Sequence, residues 1–281
     1  MTLSRKRKNM LITVICTIVT AVLILLLISP FYFMVTNAFK TGPELARTVP
    51  TLIPHMPTLE NFQELSTDRT FIRGMINSLQ IAFITMIVAI TIAIPSAYSF
   101  LRLPRKAAGA MQWWILLSQM IPGIILVVPL FRILLSFQLT NTHAGLIIVY
   151  AVASLPFSIW MMRGFIAGVP PDIEDAAFID GCSLPKMFFY VLLPTILPGV
   201  LTGGVFAFIV AWNELFFALC LIQSPDLRTL PIHLQSFVGM GGQAREGMVM
   251  AGAVVASLPG LIVFLIFQRF FVTGLTSGSV K

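Results

Sequence analysis

Charge is scarce in this sequence. Asp, Glu, Lys and Arg together make up 10% of its 281 residues, where a soluble domain carries about a quarter. That scarcity argues against a fold that covers itself with a hydrated surface. Cysteine is scarce too. Cys16, Cys182 and Cys220 are odd in number and widely spaced, so they supply neither a disulfide framework nor a Cys-based metal set. His55, His143 and His233 are equally scattered. No Gly-Lys dipeptide occurs, which excludes a G-x-x-x-x-G-K-[ST] phosphate loop and with it any expectation that this chain hydrolyses ATP alone. H-E-x-x-H and G-x-S-x-G are also missing, which argues against an intramembrane enzyme.

What is abundant is apolar side chain: 57% of residues, with a mean hydropathy of +0.93. It comes in blocks long enough to cross a bilayer core, which takes about 20 helical residues. Six spans are predicted, over 11–37, 72–100, 109–136, 143–164, 194–222 and 248–272. The fold class is therefore all-α, a polytopic membrane protein with six transmembrane helices. Pro122, Pro129, Pro156 and Pro259 fall inside spans and predict kinks there. The first apolar run is too long for a cleaved leader and reads as a retained helix.

The net charge of +7 and pI near 9.7 fit a membrane protein that collects cations on its cytoplasmic side, and no basic patch studded with aromatics suggests nucleic acid. The Arg5–Lys8 cluster, with Arg102, Arg105 and Lys106, predicts both termini in the cytoplasm. Two external loops are sizeable. Residues 38–71 have room for a short amphipathic segment. Residues 223–247 hold Gly239, Gly241 and Gly242, which predict a flexible tip.

One cytoplasmic connection, 165–193, is long. Pro171 suits a first helical turn, and Asp172, Glu174 and Asp175 suit the positive end of its dipole. Gly181 sits where a helix end needs positive φ. Ser183 and Pro185 open a second short helix, and Pro194 closes it and opens the fifth span. The first helix spans about nine residues, too short to be stable alone. Ile173, Ala176, Ala177 and Asp180 fall on one narrow face of small side chains. That face suits docking against another protein, or packing within this one.

The stretch Asp175-Ala176-Ala177, three residues, Gly181, then Leu193-Pro194 resembles the "EAA" loop of permeases from binding-protein-dependent ABC importers, with Asp175 in place of the usual Glu. Asn77-Ser78 looks like the same family. Ala211-Trp212-Asn213-Glu214, Arg228-Thr229-Leu230-Pro231 and Gln268–Gly274 resemble its carbohydrate branch, closest to the six-span permeases of maltose-type and glycerol-phosphate-type systems. The resemblance implies a type I importer permease fold. Residues 1–10 would be a cytoplasmic tail, 11–70 the first helix and external loop, 71–272 the transporter domain, and 273–281 a second tail. It implies a sugar importer of the inner membrane in which this chain forms half of the pathway. Its implied partners are two ATPase subunits that use ATP and Mg, a second permease and an extracytoplasmic sugar-binding protein, with no cofactor on this chain. Asp175, Ala176, Ala177, Asp180, Gly181 and Pro194 would form the ATPase-coupling loop.

Glu214 is an acidic residue deep in a predicted span, and such a carboxylate needs a partner or a wet cavity. With Trp212 and Asn213 it is a candidate for lining the pathway, or else for a helix-packing hydrogen bond. Gly199 and Gly203, and Gly252, Ala256 and Gly260, recur every fourth residue and predict close helix contacts. Rival readings are a permease for another solute, such as an amino acid or a glycerol-phosphate-like compound, and a secondary transporter.

Overall fold

The computed structural model describes residues 2–238 and 245–277, without side-chain detail for 2–7, 105 and 269–277. Gly239, Gly241 and Gly242, expected to form a flexible tip, lie outside the described residues, as do the side chains of Arg269–Gly274. Among the described residues all regular structure is helical. Of the described helices, four are long and apolar enough to cross a membrane, giving six spans if each of two bent pairs counts as one. The chain divides into two compact units, one holding the residues up to Asp68 with Leu234–Val255, the other Arg69–His233 and the residues from Ala256.

In the first unit, α1 (Thr2–Ala38) exposes nearly all of its apolar side chains. After it come α2 (Gly42–Leu45) and the short amphipathic segment expected in this loop, α3 (Glu60–Thr67), which buries Leu65. The loop between them is tied by polar contacts. Lys40 Nζ donates to Asn37 Oδ1 at 2.7 Å and to the Thr51 carbonyl at 2.5 Å. Thr51 Oγ1 donates to Glu44 Oε1 at 2.7 Å, and the His55 amide donates to the same oxygen at 3.1 Å. These donors hold the Glu44 carboxyl below its ordinary value of 4.5, the Thr51 hydroxyl contributing most.

The second unit is built on α4 (Arg69–Arg102), followed by α5 (Arg105–Gln119), α6 (Gly123–Ser136) and α7 (His143–Ala167). Then come α8 (Pro171–Ile179), α9 (Leu184–Met187), a π-helical stretch (Phe188–Leu192), α10 (Leu193–Thr195) and α11 (Leu197–Asn213). The series closes with α12 (Phe216–Leu221), α13 (Leu230–Ser236) and α14 (Glu246–Ser277), the last two running between units. Helices α4, α7 and α11 pack together. Ala82, Ala89, Ala93 and Ala97 of α4 are fully buried, and side chains this small let helix backbones approach closely. The Gly199 and Gly203 contacts expected from sequence are present. A Cβ at Gly199 would lie 2.3 Å from the Phe165 ring, and one at Gly203 would lie 3.1 Å from Met162 and Ile90. Gly260, by contrast, faces open space.

Two expected spans are broken rather than kinked. Helices α5 and α6 meet at 98° across Met120–Pro122. Pro122 has no N–H to donate and forces Ile121 out of helical geometry. In the fifth, expected to open at Pro194, the break falls two residues later: Pro194 lies inside the Leu184–Thr195 segment, and Leu197–Asn213 is turned 78° from it. The span breaks again at Glu214, before α12. Helix α7, in contrast, runs through Pro156 without interruption.

Candidate functional site

The helix–glycine–helix reading of the 165–193 connection is what the structure contains. α8 is nine residues long with Pro171 in its first turn, Gly181 has φ +80°, and Ser183 precedes α9 with Pro185 in its first turn. Pro194 cannot donate to the Tyr190 carbonyl, and a π-helical stretch takes up the mismatch just before it.

Packing divides the expected docking face. Ala177 is buried, whereas Ile173, Ala176 and Asp180 are exposed. Ala177 joins a core with Ala93, Ile94 and Ala97 of α4, Met162 and Ile166 of α7, and Met187, Leu192 and Ile196. The segment is therefore welded to the ends of two long helices. Its outward side presents Asp172, Asp175 and Asp180 around apolar groups. Ile179 is 86% exposed and Leu184 55%, and apolar groups so bare, rimmed by charge, mark an interaction surface.

Glu174 does not follow its acidic neighbours. It is 5% exposed, and its Oε2 accepts from Tyr98 Oη at 2.9 Å and pairs with the Arg102 guanidinium. That guanidinium lies over the Tyr98 ring, 5.3 Å from its centroid, and the ring meets Phe188 edge-on at 6.0 Å. Sequence reasoning treated Glu174 as a dipole-complementing charge like Asp172 and Asp175. The available signal was Tyr98 and Arg102, four apart and so on one face of α4.

At the other end of the same unit, two motifs noted separately in the sequence meet. Asn77 Nδ2 donates to the Asp226 and Arg228 carbonyls, both at 2.9 Å, and Ser78 Oγ accepts the Leu230 amide at 2.8 Å. Asn141, at φ +55°, adds a second clasp: its Oδ1 accepts the Gln223 and Ser224 amides at 3.0 Å. Residues 223–230 are thus pinned to the starts of α4 and α7.

The three candidate pathway residues are separated by the break after α11. Trp212 is buried, its Nε1 donating to the Ala256 carbonyl at 3.1 Å and its ring stacked near Phe208. Asn213 is exposed and donates to the Ile209 carbonyl. Glu214 is half-buried at the break rather than inside a helix, accepting the Phe217 and Ala218 amides at 2.9 and 3.2 Å. It caps the free N-terminal N–H groups of α12.

These features define a helical membrane protein with an exposed helix–glycine–helix segment, and similarity places it in a family. Residues 89–277 match the binding-protein-dependent transport system inner membrane component family, and the chain belongs to it. It is 35% identical to the sulfoquinovosyl glycerol transport system permease of Agrobacterium fabrum, over 90% of this chain and 88% of that one. It is 33% identical to the diacetylchitobiose uptake system permease of Streptomyces coelicolor, over 94% and 95%. Its fold matches a chain of a bacterial ABC transporter that imports alginate, with TM-score 0.82 at 18% identity, covering 94% of this chain and 98% of that one. The chain is thus an integral membrane transport component and not itself an enzyme.

Proposed function

We propose that this chain is the permease subunit of an ABC importer for a sugar or oligosaccharide, forming half of the translocation pathway. The observation that carries the reading is the α8–Gly181–α9 segment, bare and acid-rimmed on one side and built into the ends of α4 and α7 on the other. A motor that grips the bare side can move both helices. Asp175, Ala176, Asp180 and Gly181 make the proposed contact, Ala177 anchors it from within, Pro194 follows the π-helical stretch behind it, and two separate ATPase subunits supply ATP and Mg chemistry. A second permease completes the pathway, and an extracytoplasmic binding protein delivers the solute. The termini lie in the cytoplasm, by the charge bias of Arg5–Lys8.

The sugar assignment is supported by relatives named for the transport of glycosides. Asn213 and Glu214, at the break in the fifth span, are the proposed pathway-side groups, and Trp212 backs them through its bond to α14. Purification of the tagged chain from native membranes should bring down an ATPase and a second permease in near-equal amounts. Reconstituted with the binding protein, the complex should take up a labelled oligosaccharide only when ATP is present. Uptake that persists without ATP would sink the proposal.

A further inference from the structure

Glu174 lies on the inward face of a helix whose other carboxylates all reach water. Removing a carboxylate from water costs several kcal/mol unless it is paired and hydrogen-bonded. Both conditions hold, through Arg102 and Tyr98. The partners come from the last turn of α4, 72 and 76 residues earlier in the chain. Immediately after Arg102 the chain turns at Leu103-Pro104 and leaves the helix.

The apolar core beside the pair already holds α8 in place, so adhesion does not require a buried charge. Apolar contact is non-directional, and its strength follows area rather than register. Ala93, Ala97 and Ala177 offer small, smooth surfaces, which let α8 lie close to α4 but add no directional contact. Of the covalent links of α8, Pro170 leads directly into it with a fixed φ, while Gly181, in the left-handed region, follows it. A directional ion pair at the first turn of α8 fixes what those links leave free.

Resting on the reading of α8 as the contact for an ATPase, we propose that Glu174 is a positioning residue. Its ion pair with Arg102, braced by Tyr98, makes α8 and α4 one rigid piece, so that displacement of α8 moves α4 instead of being absorbed in the loop.

The test measures solute taken up per ATP hydrolysed, in proteoliposomes holding the whole importer. Glu174→Gln keeps size and the Tyr98 contact but removes the charge, and Arg102→Gln removes it from the other side. Each single variant should lower the transport-to-ATP ratio about fivefold or more, the low end of an intersite coupling energy. The exchange Glu174→Arg with Arg102→Glu should recover part of the ratio, because the pair is re-formed in reverse. A merely structural role would lower the yield of assembled complex without changing that ratio. A wild-type ratio in Glu174→Gln overturns the proposal. If the single variants assemble too poorly to assay, the exchange decides, and an assembled exchange variant with a ratio about fivefold or more below wild type also overturns it. Failure of the underlying reading looks different, since Asp175→Lys on the exposed face would then leave ATPase binding intact.

Discussion

Gly181 holds φ +80°, yet nothing lies within 4 Å of where its Cβ would be. Substitution there meets no wall, so its whole effect is on the backbone. An L-residue in the left-handed region costs about 1–2 kcal/mol, and Asn pays least. Gly181→Leu should therefore insert into the membrane normally but lose ATP-driven uptake, whereas Gly181→Asn should keep most of it. Membrane-fraction immunoblots alongside uptake assays check both, and equal uptake by the two variants would show that the turn conformation does not matter. This position was legible in the sequence because a glycine between two short helices has a local cause. Glu174 was not, because its partners are far away in the chain and three neighbouring carboxylates look alike until packing buries one of them.

At the scale of elements, proline marked the weak points of the spans but not how far they give way. Pro122 breaks a span through 98°, while Pro156 leaves α7 continuous. The difference depends on whether neighbours hold the helix: α7 is packed between α4 and α11, and α5 is largely exposed. The clasp of residues 223–230 was half legible. Asn77-Ser78 and Arg228–Pro231 stood out, but their meeting is a long-range contact, and Asn141 gave no signal. Two carbonyls depend on the Asn77 amide in part-buried hydrogen bonds, and a typical hydrogen bond contributes about 0.5–1.5 kcal/mol. Asn77→Ala should make this segment open to limited proteolysis. The Arg73–Asp226 pair beside it has side chains 60% and 75% exposed, and such pairs contribute about 0–1 kcal/mol. Arg73→Ala should leave the segment as resistant as before, and equal cutting in both variants would contradict this ranking.

The loop between α2 and α3 carries an acid-sensitive element. The Glu44 carboxyl titrates below 4.5 in the folded chain because the Thr51 hydroxyl and the His55 amide favour its ionised form. Folding therefore gains stability from Glu44 above the ordinary carboxylate value, and that gain fades as pH falls through the lowered one. Melting temperatures recorded across this acid range should show a downward limb that Glu44→Gln flattens. A limb of unchanged steepness in the variant would assign it to other groups.

Over the whole molecule, composition was enough to define the class, since a chain so poor in charge has few other ways to fold. Composition could not say which apolar faces meet lipid and which meet protein. In α1, Leu25, Leu26 and Leu27 are 64–70% exposed, and Trp113 and Trp114 of α5, with Met120 just after it, are 68–76% exposed. Lipid can cover a span entirely, but α5 ends in a broken turn, and backbone freed from its helix is tolerated at membrane depth only where protein or water meets it. The second permease proposed above, seated over α5, would meet that requirement. A partner that binds only the folded chain stabilises it by about 2.7 kcal/mol at a concentration 100-fold above Kd. At about 2–4 °C per kcal/mol for a chain of this size, the co-purified pair should melt about 5–10 °C above the chain alone in the same detergent. Gln119→Ala, close to the break, should leave the lone chain's melting point unchanged and reduce the gain. No gain in the wild-type pair would mean that α5 carries no contact between two permeases.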